Sequence, residues 1–302
     1  MDCDLLIIDY ATSYSRNDCE LDLCNRYHEM GIKTPWVLAT SNFQYYHSDR
    51  AEIVYYPAHL IQCLIENKDN HVNIHDKRNF SVGFVNGNLH NVRIMLALEM
   101  FKYSWFPNCK INFPNVSLLS DSQSDVFEST VAEMNDTERE LLSEFVKILP
   151  LVADPTETLD FEGLKFAYYL NGNAGFTDCY VNTMIESEWN LPFITEKSIK
   201  PFLSGQFNAV LANVGVYSHL EELGFDMMDS YINLRTQGDT RQSLTDMFKQ
   251  VDLLLGNIES AWEETYNRRL ANYQLAKSDA LLNKLQKALF DIINGGFGLG
   301  NK

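Results

Sequence analysis

Charged and polar side chains that could bind a ligand are concentrated in the segment ESEWNLPFITEKSIK, at positions 186–200. We expect a helix to begin just after Thr195, because threonine is a favoured N-cap residue. Free backbone N–H groups and the helix dipole favour an anion at that end, and Lys197 adds a full positive charge. The carboxylate of Glu196 can accept hydrogen bonds from ribose hydroxyls. Together with Lys200, the segment therefore predicts a cradle for the phosphates and ribose of a nucleotide.

A second interpretation of the same residues needs no ligand. Glu196 and Lys200 are four positions apart, and an exposed pair with this spacing stabilises a helix by about 0.2–0.5 kcal/mol. Solvated charge pairs of this kind are common on protein surfaces. The position of the segment favours a ligand site, because the strand predicted over 180–187 brings Glu186 to its carboxyl end. Open α/β sheets bind their ligands at that end of the strands.

The first part of the chain alternates short apolar runs with helical periodicity, which is typical of an open α/β domain. We expect strands over 4–9, 35–40 and 51–56 and helices over 20–31 and 58–67. The first strand ends at Asp9, which would face a cleft at the carboxyl edge of the sheet. The polar, irregular stretch at 67–79 is the expected linker, so the predicted domains are residues 1–78 and 79–302.

The second part repeats the alternation and predicts another parallel sheet. We expect strands over 80–87, 180–187 and 208–215, helices over 91–104, 136–150, 196–205 and 216–224, and a largely helical region over 243–294. A strand, a tight polar loop and a helix is the unit that opens a nucleotide-binding domain, although NGNLHN lacks the G-x-G-x-x-G pattern. The fold class predicted is therefore α/β, with C-terminal helices.

Composition and charge narrow the functional classes. The formal net charge of −17 disfavours a nucleic-acid partner, because backbone binding depends on clustered cations. Much of the excess lies in residues 120–162, which we interpret as a solvated acidic face or a flexible excursion. The six cysteines include no C-x-x-C pair and suggest reduced thiols. Neither a signal peptide nor a transmembrane segment is recognisable, so a cytoplasmic location is expected.

Two stretches resemble a known family. ESEWNLPFITEKSIKPFLSG and the following FNAVLANVGVYSHLEELGFD look like the donor-binding segment of nucleotide-sugar glycosyltransferases related to the α1,3-fucosyltransferases. Glu186 and Glu196 have the separation that this family shows between the Glu of an E-N-S-like motif and the Glu of a T-E-K motif. FVNGNLHNVRIML also resembles the opening of the family's second domain. The likeness extends over residues 80–275, and its pattern is closest to the bacterial and viral members.

The resemblance implies the GT-B architecture, in which two Rossmann-like domains face a cleft, with the donor in the C-terminal half and the acceptor in the N-terminal half. Glu196 would bind the ribose, Lys197 and Arg93 the diphosphate, and Asn86 would lie beside them. The remaining residues of the implied donor site are Glu186, Thr195 and Lys200. Cations at a helix N-terminus can stabilise a departing diphosphate, so no metal or other cofactor is expected.

An inverting transfer needs a general base that takes the proton of the acceptor hydroxyl. Asp9 is the first candidate, and its alternative role is a turn-forming carboxylate. Glu188 is the second candidate, and it is otherwise a loop residue. Ser187 and Glu188 stand where the family usually has Asn and Ser, and retention of configuration stays open.

The activity implied is transfer of a sugar from a nucleotide-diphosphate sugar, with a GDP-sugar favoured, to a hydroxyl acceptor such as a glycan. Two alternatives stay open. One is an enzyme of the same class that glycosylates bases of viral DNA, which the net charge disfavours. The other is a non-catalytic nucleotide- or sugar-binding protein on the same scaffold, because a fold does not establish an activity.

Overall fold

The computed structural model describes residues 6–10, 29, 36–40, 52–84, 90–151, 170, 177–186, 193–235 and 239–295. At residues 6–10, 36–40, 52, 53, 118, 292 and 295 only the backbone is described. The strands in these ranges are β1 Leu6–Tyr10, β2 Trp36–Thr40, β3 Glu52–Tyr55, β4 Phe80–Phe84, β5 Cys109–Ile111, β6 Cys179–Ile185 and β7 Phe207–Leu211.

The described helices fall before, between and after the strands of the second half. They are α1 Ala58–Glu66, α2 Asn91–Phe101, α3 Asp121–Ala132, α4 Asp136–Val146, α5 Glu196–Ser204, α6 Val214–Leu223, α7 Thr240–Leu255, α8 Ile258–Glu264, α9 Tyr266–Ala276 and α10 Asp279–Gly295. Two short 3-10 turns, Phe106–Asn108 and Val116–Leu118, flank β5. The predicted α/β class is confirmed.

The strands form two parallel sheets. The first has the order β1-β2-β3, and the second has the order β5-β4-β6-β7. In the second sheet the chain moves outward from β4 to β5 and then returns to the other side of β4 with β6. That reversal makes the space between the carboxyl ends of β4 and β6 a topological switch point, where sheets of this kind bind ligands.

The elements predicted over the described ranges are present, with shifts of a few residues at their ends. Two elements have no counterpart in the prediction. β5 is only three residues long, too short to show a period of two. α3 is polar along most of its length, with Thr130 its one buried residue, so no apolar stripe marks it. In α3 and α4 the acidic segment forms a solvated face over residues 121–146.

Helix α5 lies at the centre of the second half. All nine of its residues are buried, because it packs on β6 and β7 and is covered by α1 and α9. Helix α1 precedes the predicted linker, yet it packs against α5 and α10. The first half of the chain therefore contributes directly to the surroundings of α5.

Two arginines bind the carbonyl groups at the C-terminal end of α5. Arg269 donates from Nη1 to the oxygen of Gly205 at 3.1 Å, and Arg78 donates from Nη2 to the oxygen of Ser204 at 2.9 Å. The Arg269 guanidinium also lies 3.3 Å from the ring centroid of Trp262. Cations at a helix C-terminus satisfy carbonyl groups that have no partner within the helix, and they complement its dipole. This end of α5 is thereby fixed.

Gly205 ends α5 with a φ of +63°, and a β-carbon there would come 2.5 Å from Cδ1 of Ile74. We expect Gly205→Ala to lower the free energy of unfolding by about 1–3 kcal/mol, through the left-handed backbone and the overlap. Gly256→Ala is the matched control, because Gly256 has a φ of −62° and its nearest neighbour would lie at 3.5 Å. Chemical denaturation should show the control unchanged or stabilised by up to about 1 kcal/mol. Equal effects at both glycines would contradict this explanation.

Candidate functional site

The candidate site lies at the switch point of the second sheet. The chain leaves β4 at Phe84, and α2 begins at Asn91. On the neighbouring strand, β6 ends at Ile185 and α5 begins at Glu196. Two helix N-termini therefore start just beyond the carboxyl ends of the two strands that border the switch point. Their free N–H groups make this edge of the sheet electrostatically positive.

Glu186 joins the end of β6 to the start of α5. Its side chain is fully buried, and Oε1 accepts hydrogen bonds from the Thr195 amide at 3.0 Å and from Oγ of Ser198 at 2.6 Å. Oε2 accepts from Oγ1 of Thr195 at 2.6 Å. Both carboxylate oxygens are thus engaged by protein donors, so Glu186 fixes the first turn of α5 against the sheet.

Thr195 and Lys197 build the first turn of α5. Thr195 is the N-cap, as predicted, and its Oγ1 accepts from the Lys197 amide at 3.3 Å. The Lys197 ammonium lies 3.2 Å from the same Oγ1, 3.2 Å from Oε1 of Glu196 and 3.9 Å from Oε2 of Glu186. The Lys197 side chain is 11% exposed. A nearly buried ammonium therefore lies between two carboxylates at the positive end of a helix.

Glu196 stays ionised although it is buried. Burial alone would raise its pKa, but the charges of Lys197, Lys200 and His59 outweigh burial and hold the pKa of Glu196 at about 2. Lys200 is 3% exposed, and burial lowers its pKa against the opposing charge of Glu196. Both members of the Glu196 and Lys200 pair are thus buried. The interpretation of this pair as an exposed surface pair is wrong, because α1 and α9 cover the helix.

Arg93 and His90 bring the start of α2 into the site. Arg93 is buried, and burial lowers its pKa to about 10 while Glu196 and Glu186 act in the opposite direction. The guanidinium is therefore charged at neutral pH. His90 is the N-cap residue of α2, and partial desolvation of its ring, followed by the charges of Arg93 and Lys197, lowers its pKa. Its imidazole is accordingly neutral at pH 7.

The described part of the chain brings most of the predicted donor-site residues together. They are Arg93, Glu186, Thr195, Glu196, Lys197 and Lys200. Asn86 and Glu188 lie outside the described residues. For Asp9 only the backbone is described, in β1 and in register with Ala39 of β2. The positions of the two candidate bases therefore stay predictions.

Two residues of the cluster have no counterpart in the sequence prediction. Ser198 donates a hydrogen bond to Glu186. Its position three residues after Thr195, on the same face of the helix, is the sequence feature that could have indicated this contact. His59, on α1, is the other residue, and its charge lowers the pKa of Glu196. No sequence pattern links His59 to the T-E-K segment, because their proximity arises only when α1 packs on α5.

Within the described ranges, His, Cys, Asp and Glu side chains form no group of three or more that could hold a metal ion. Among the helices that the structure describes, none has the length and apolar character of a membrane span.

Comparisons of the chain with protein-family models, with curated proteins and with solved structures yielded no match.

The depressed pKa of Glu196 predicts a pH-dependent contribution to stability. The contribution is fully present above the ordinary glutamate pKa of 4.5 and is lost as the pH falls toward about 2. We expect Glu196→Gln to reduce the free energy of unfolding by up to about 3 kcal/mol at pH 6, and by progressively less between pH 4.5 and pH 3. Urea denaturation at several pH values measures the difference. Glu140→Gln, on the exposed face of α4, is the control for loss of one negative charge. A constant difference for Glu196→Gln would contradict the assignment.

Proposed function

We propose that the protein is a metal-independent glycosyltransferase that uses a nucleotide-diphosphate sugar, with a GDP-sugar favoured, and transfers the sugar to a hydroxyl of a glycan. The observation that carries the proposal is the convergence of Arg93, Lys197 and the N-terminus of α5 at the switch point between β4 and β6. A diphosphate is the common ligand of such an edge, because helix N–H groups and cations both bind phosphate oxygens. The resemblance of the T-E-K segment to fucosyltransferase-like enzymes supports the same assignment.

The charges of the cluster suit a diphosphate with a ribose attached. Three cations, Arg93, Lys197 and Lys200, face two carboxylates, Glu186 and Glu196, which leaves a positive surplus before the helix dipole is added. In the proposed complex Lys197 and Arg93 bind the phosphates, with Asn86 beside them. Glu196 accepts hydrogen bonds from the ribose hydroxyls, and this role needs the carboxylate to be ionised, as its low pKa provides.

The same cations can promote the reaction. As the bond between sugar and diphosphate breaks, negative charge grows on the departing phosphate oxygens. Arg93 and Lys197, held in place beforehand by buried neighbours, would stabilise that charge more than the charge of the intact donor. Glu186 and Thr195 position Lys197, because they fix the turn that carries it.

The other parts of the proposal concern regions away from the cluster. The GT-B arrangement would place the acceptor against the first sheet, with Asp9 at the carboxyl end of β1 as the general base and Glu188 as the second candidate. A cytoplasmic location completes the proposal.

A nucleotide-binding protein without turnover is the second candidate function. The charged groups described at the site, Arg93, Glu186, Glu196 and Lys197, all have binding or positioning roles, and a protein that only binds a nucleotide needs the same groups. The DNA-glycosylating variant has no comparable support, because the acidic face formed by α3 and α4 would repel a nucleic acid.

Nucleotide binding is tested first by thermal shift with GDP, UDP, CDP and ADP. Lys197→Ala should weaken binding of the preferred diphosphate by on the order of 1.5–3 kcal/mol, because it removes a charge-assisted hydrogen bond. Lys249→Ala, an exposed lysine on α7, is the matched control and should bind like the wild type. Isothermal titration calorimetry measures both affinities. If none of the four diphosphates stabilises the wild-type protein, the nucleotide site is wrong.

Turnover separates the two candidate functions. A transferase should slowly hydrolyse its nucleotide-diphosphate sugar even without acceptor, and release of diphosphate can be followed by chromatography. We expect Asp9→Asn to abolish transfer to an acceptor while donor affinity stays unchanged, because a general base is needed for the acceptor hydroxyl alone. Binding without hydrolysis would favour the non-catalytic protein. Normal transfer by Asp9→Asn would place the base elsewhere.

A further inference from the structure

Glu196 is flanked by two lysines of the same helix that differ in their surroundings. Lys197 lies in the first turn at the N-terminus of α5, and its ammonium is 3.2 Å from Oε1 of Glu196. Lys200 lies one turn further along and is more deeply buried, on a helix that α1 covers. Its charge acts on Cys63 of α1 as well as on Glu196. Only Lys197 is at the end of the helix where an anion would bind.

The arrival of a phosphate changes the surroundings of Glu196. The phosphate competes with the carboxylates of Glu196 and Glu186, both of which lie close to the Lys197 ammonium in the structure. Once the Lys197 ammonium turns toward phosphate oxygens, it stabilises the ionised carboxylate of Glu196 less. A buried carboxylate without a counter-charge takes up a proton, because desolvation disfavours the ionised form. A protonated Glu196 would be a much weaker acceptor for hydroxyl groups.

We propose, on the premise of the nucleotide site above, that Lys200 is a positioning residue whose buried ammonium keeps Glu196 ionised when Lys197 turns to the phosphates. Lys200 acts through Glu196 and does not touch the ligand. The two lysines therefore have different roles. Lys197 binds the anion, and Lys200 keeps the Glu196 carboxylate able to accept hydrogen bonds from the hydroxyl groups of the ligand.

The charged and titratable groups around Glu196 make Lys200 the suitable counter-charge. Lys197 is the cation that the ligand engages, and Arg93 of α2 lies on the ligand side as well. The charge of His59 of α1 also lowers the pKa of Glu196, but by less than the charges of Lys197 and Lys200 do. Glu186, which follows β6, carries a negative charge and cannot stabilise an ionised Glu196. Lys200 follows Glu196 by four residues on α5, which places the two side chains on one face of the helix, and its burial keeps ligands away from it.

The test compares two probes that differ in hydroxyl groups. One is whichever of GDP, UDP, CDP and ADP stabilises the wild type most, and the other is inorganic pyrophosphate. Affinities of Lys200→Met and the wild type are measured by calorimetry between pH 5 and pH 8. At each pH the affinity of the variant is divided by that of the wild type, which cancels the effect of ligand protonation and gives the relative affinity. Methionine keeps the approximate shape of the lysine stem without its charge.

The two probes should respond in opposite directions. As the pH falls, Glu196 of Lys200→Met becomes protonated, and the relative affinity for the nucleoside diphosphate should fall by about fivefold to tenfold, the difference between a charged and a neutral acceptor. The relative affinity for pyrophosphate should rise instead, because protonation removes a nearby negative charge. A general structural defect would weaken both probes together. Lys200→Arg, which keeps the charge, should restore ratios that do not change with pH.

The double variant Glu196→Gln with Lys200→Met keeps the test valid if Lys200→Met folds poorly, since it removes both charges of the pair. If Lys200 acts only through Glu196, the double variant should bind the nucleoside diphosphate as Glu196→Gln alone does. A further loss in the double variant, or parallel behaviour of the two probes in Lys200→Met, overturns the role of Lys200. If the wild type binds neither probe, the proposed function falls, and this inference falls with it. Binding by the wild type with flat ratios in Lys200→Met overturns this inference alone.

Discussion

The carboxylate of Glu186 is the interaction on which the described site depends. It is buried at the end of β6 and accepts three hydrogen bonds from Thr195 and Ser198, so the cost of removing a charge from water is offset by charge-assisted bonds. These bonds fix where α5 begins relative to the sheet. At the other end, Arg269 binds the carbonyl of Gly205. Because the helix is held at both ends, its first turn has one position, and the backbone of Lys197 in that turn is fixed with it.

Burial gives the local charges an influence that the net charge of the chain does not have. The protein carries a formal charge of −17, which over long distances repels anions. Inside the cluster, however, the surroundings of Arg93, Lys197 and Lys200 screen charges poorly, so these groups act strongly on one another and on a neighbouring ligand. The low pKa of Glu196 reflects the same effect. A site for an anion can therefore exist in an acidic protein when the cations are few, buried and correctly placed.

The first half of the chain takes part in this site through α1. Helix α1 packs along α5, and His59 and Cys63 on it lie within the electrostatic reach of Glu196 and Lys200. The phenol of Tyr55 in β3 also lies 2.9 Å from Nε2 of His219 on α6. Contacts of this kind tie the end of the first sheet to the second half. Any change in the packing of α1 would consequently alter the charges at the start of α5.

The α/β class, most of the helices and strands, and the helix start at Thr195 follow from the amino-acid sequence alone, because periodicity, capping residues and glycine stops are local signals. Gly205 and Gly224 end their helices in left-handed conformations, as expected from position alone. The burial of both Glu196 and Lys200, in place of exposure at the surface, follows from tertiary packing alone. Their spacing is the same in both cases, and the difference arises from α1 and α9, which cover the helix from distant parts of the chain.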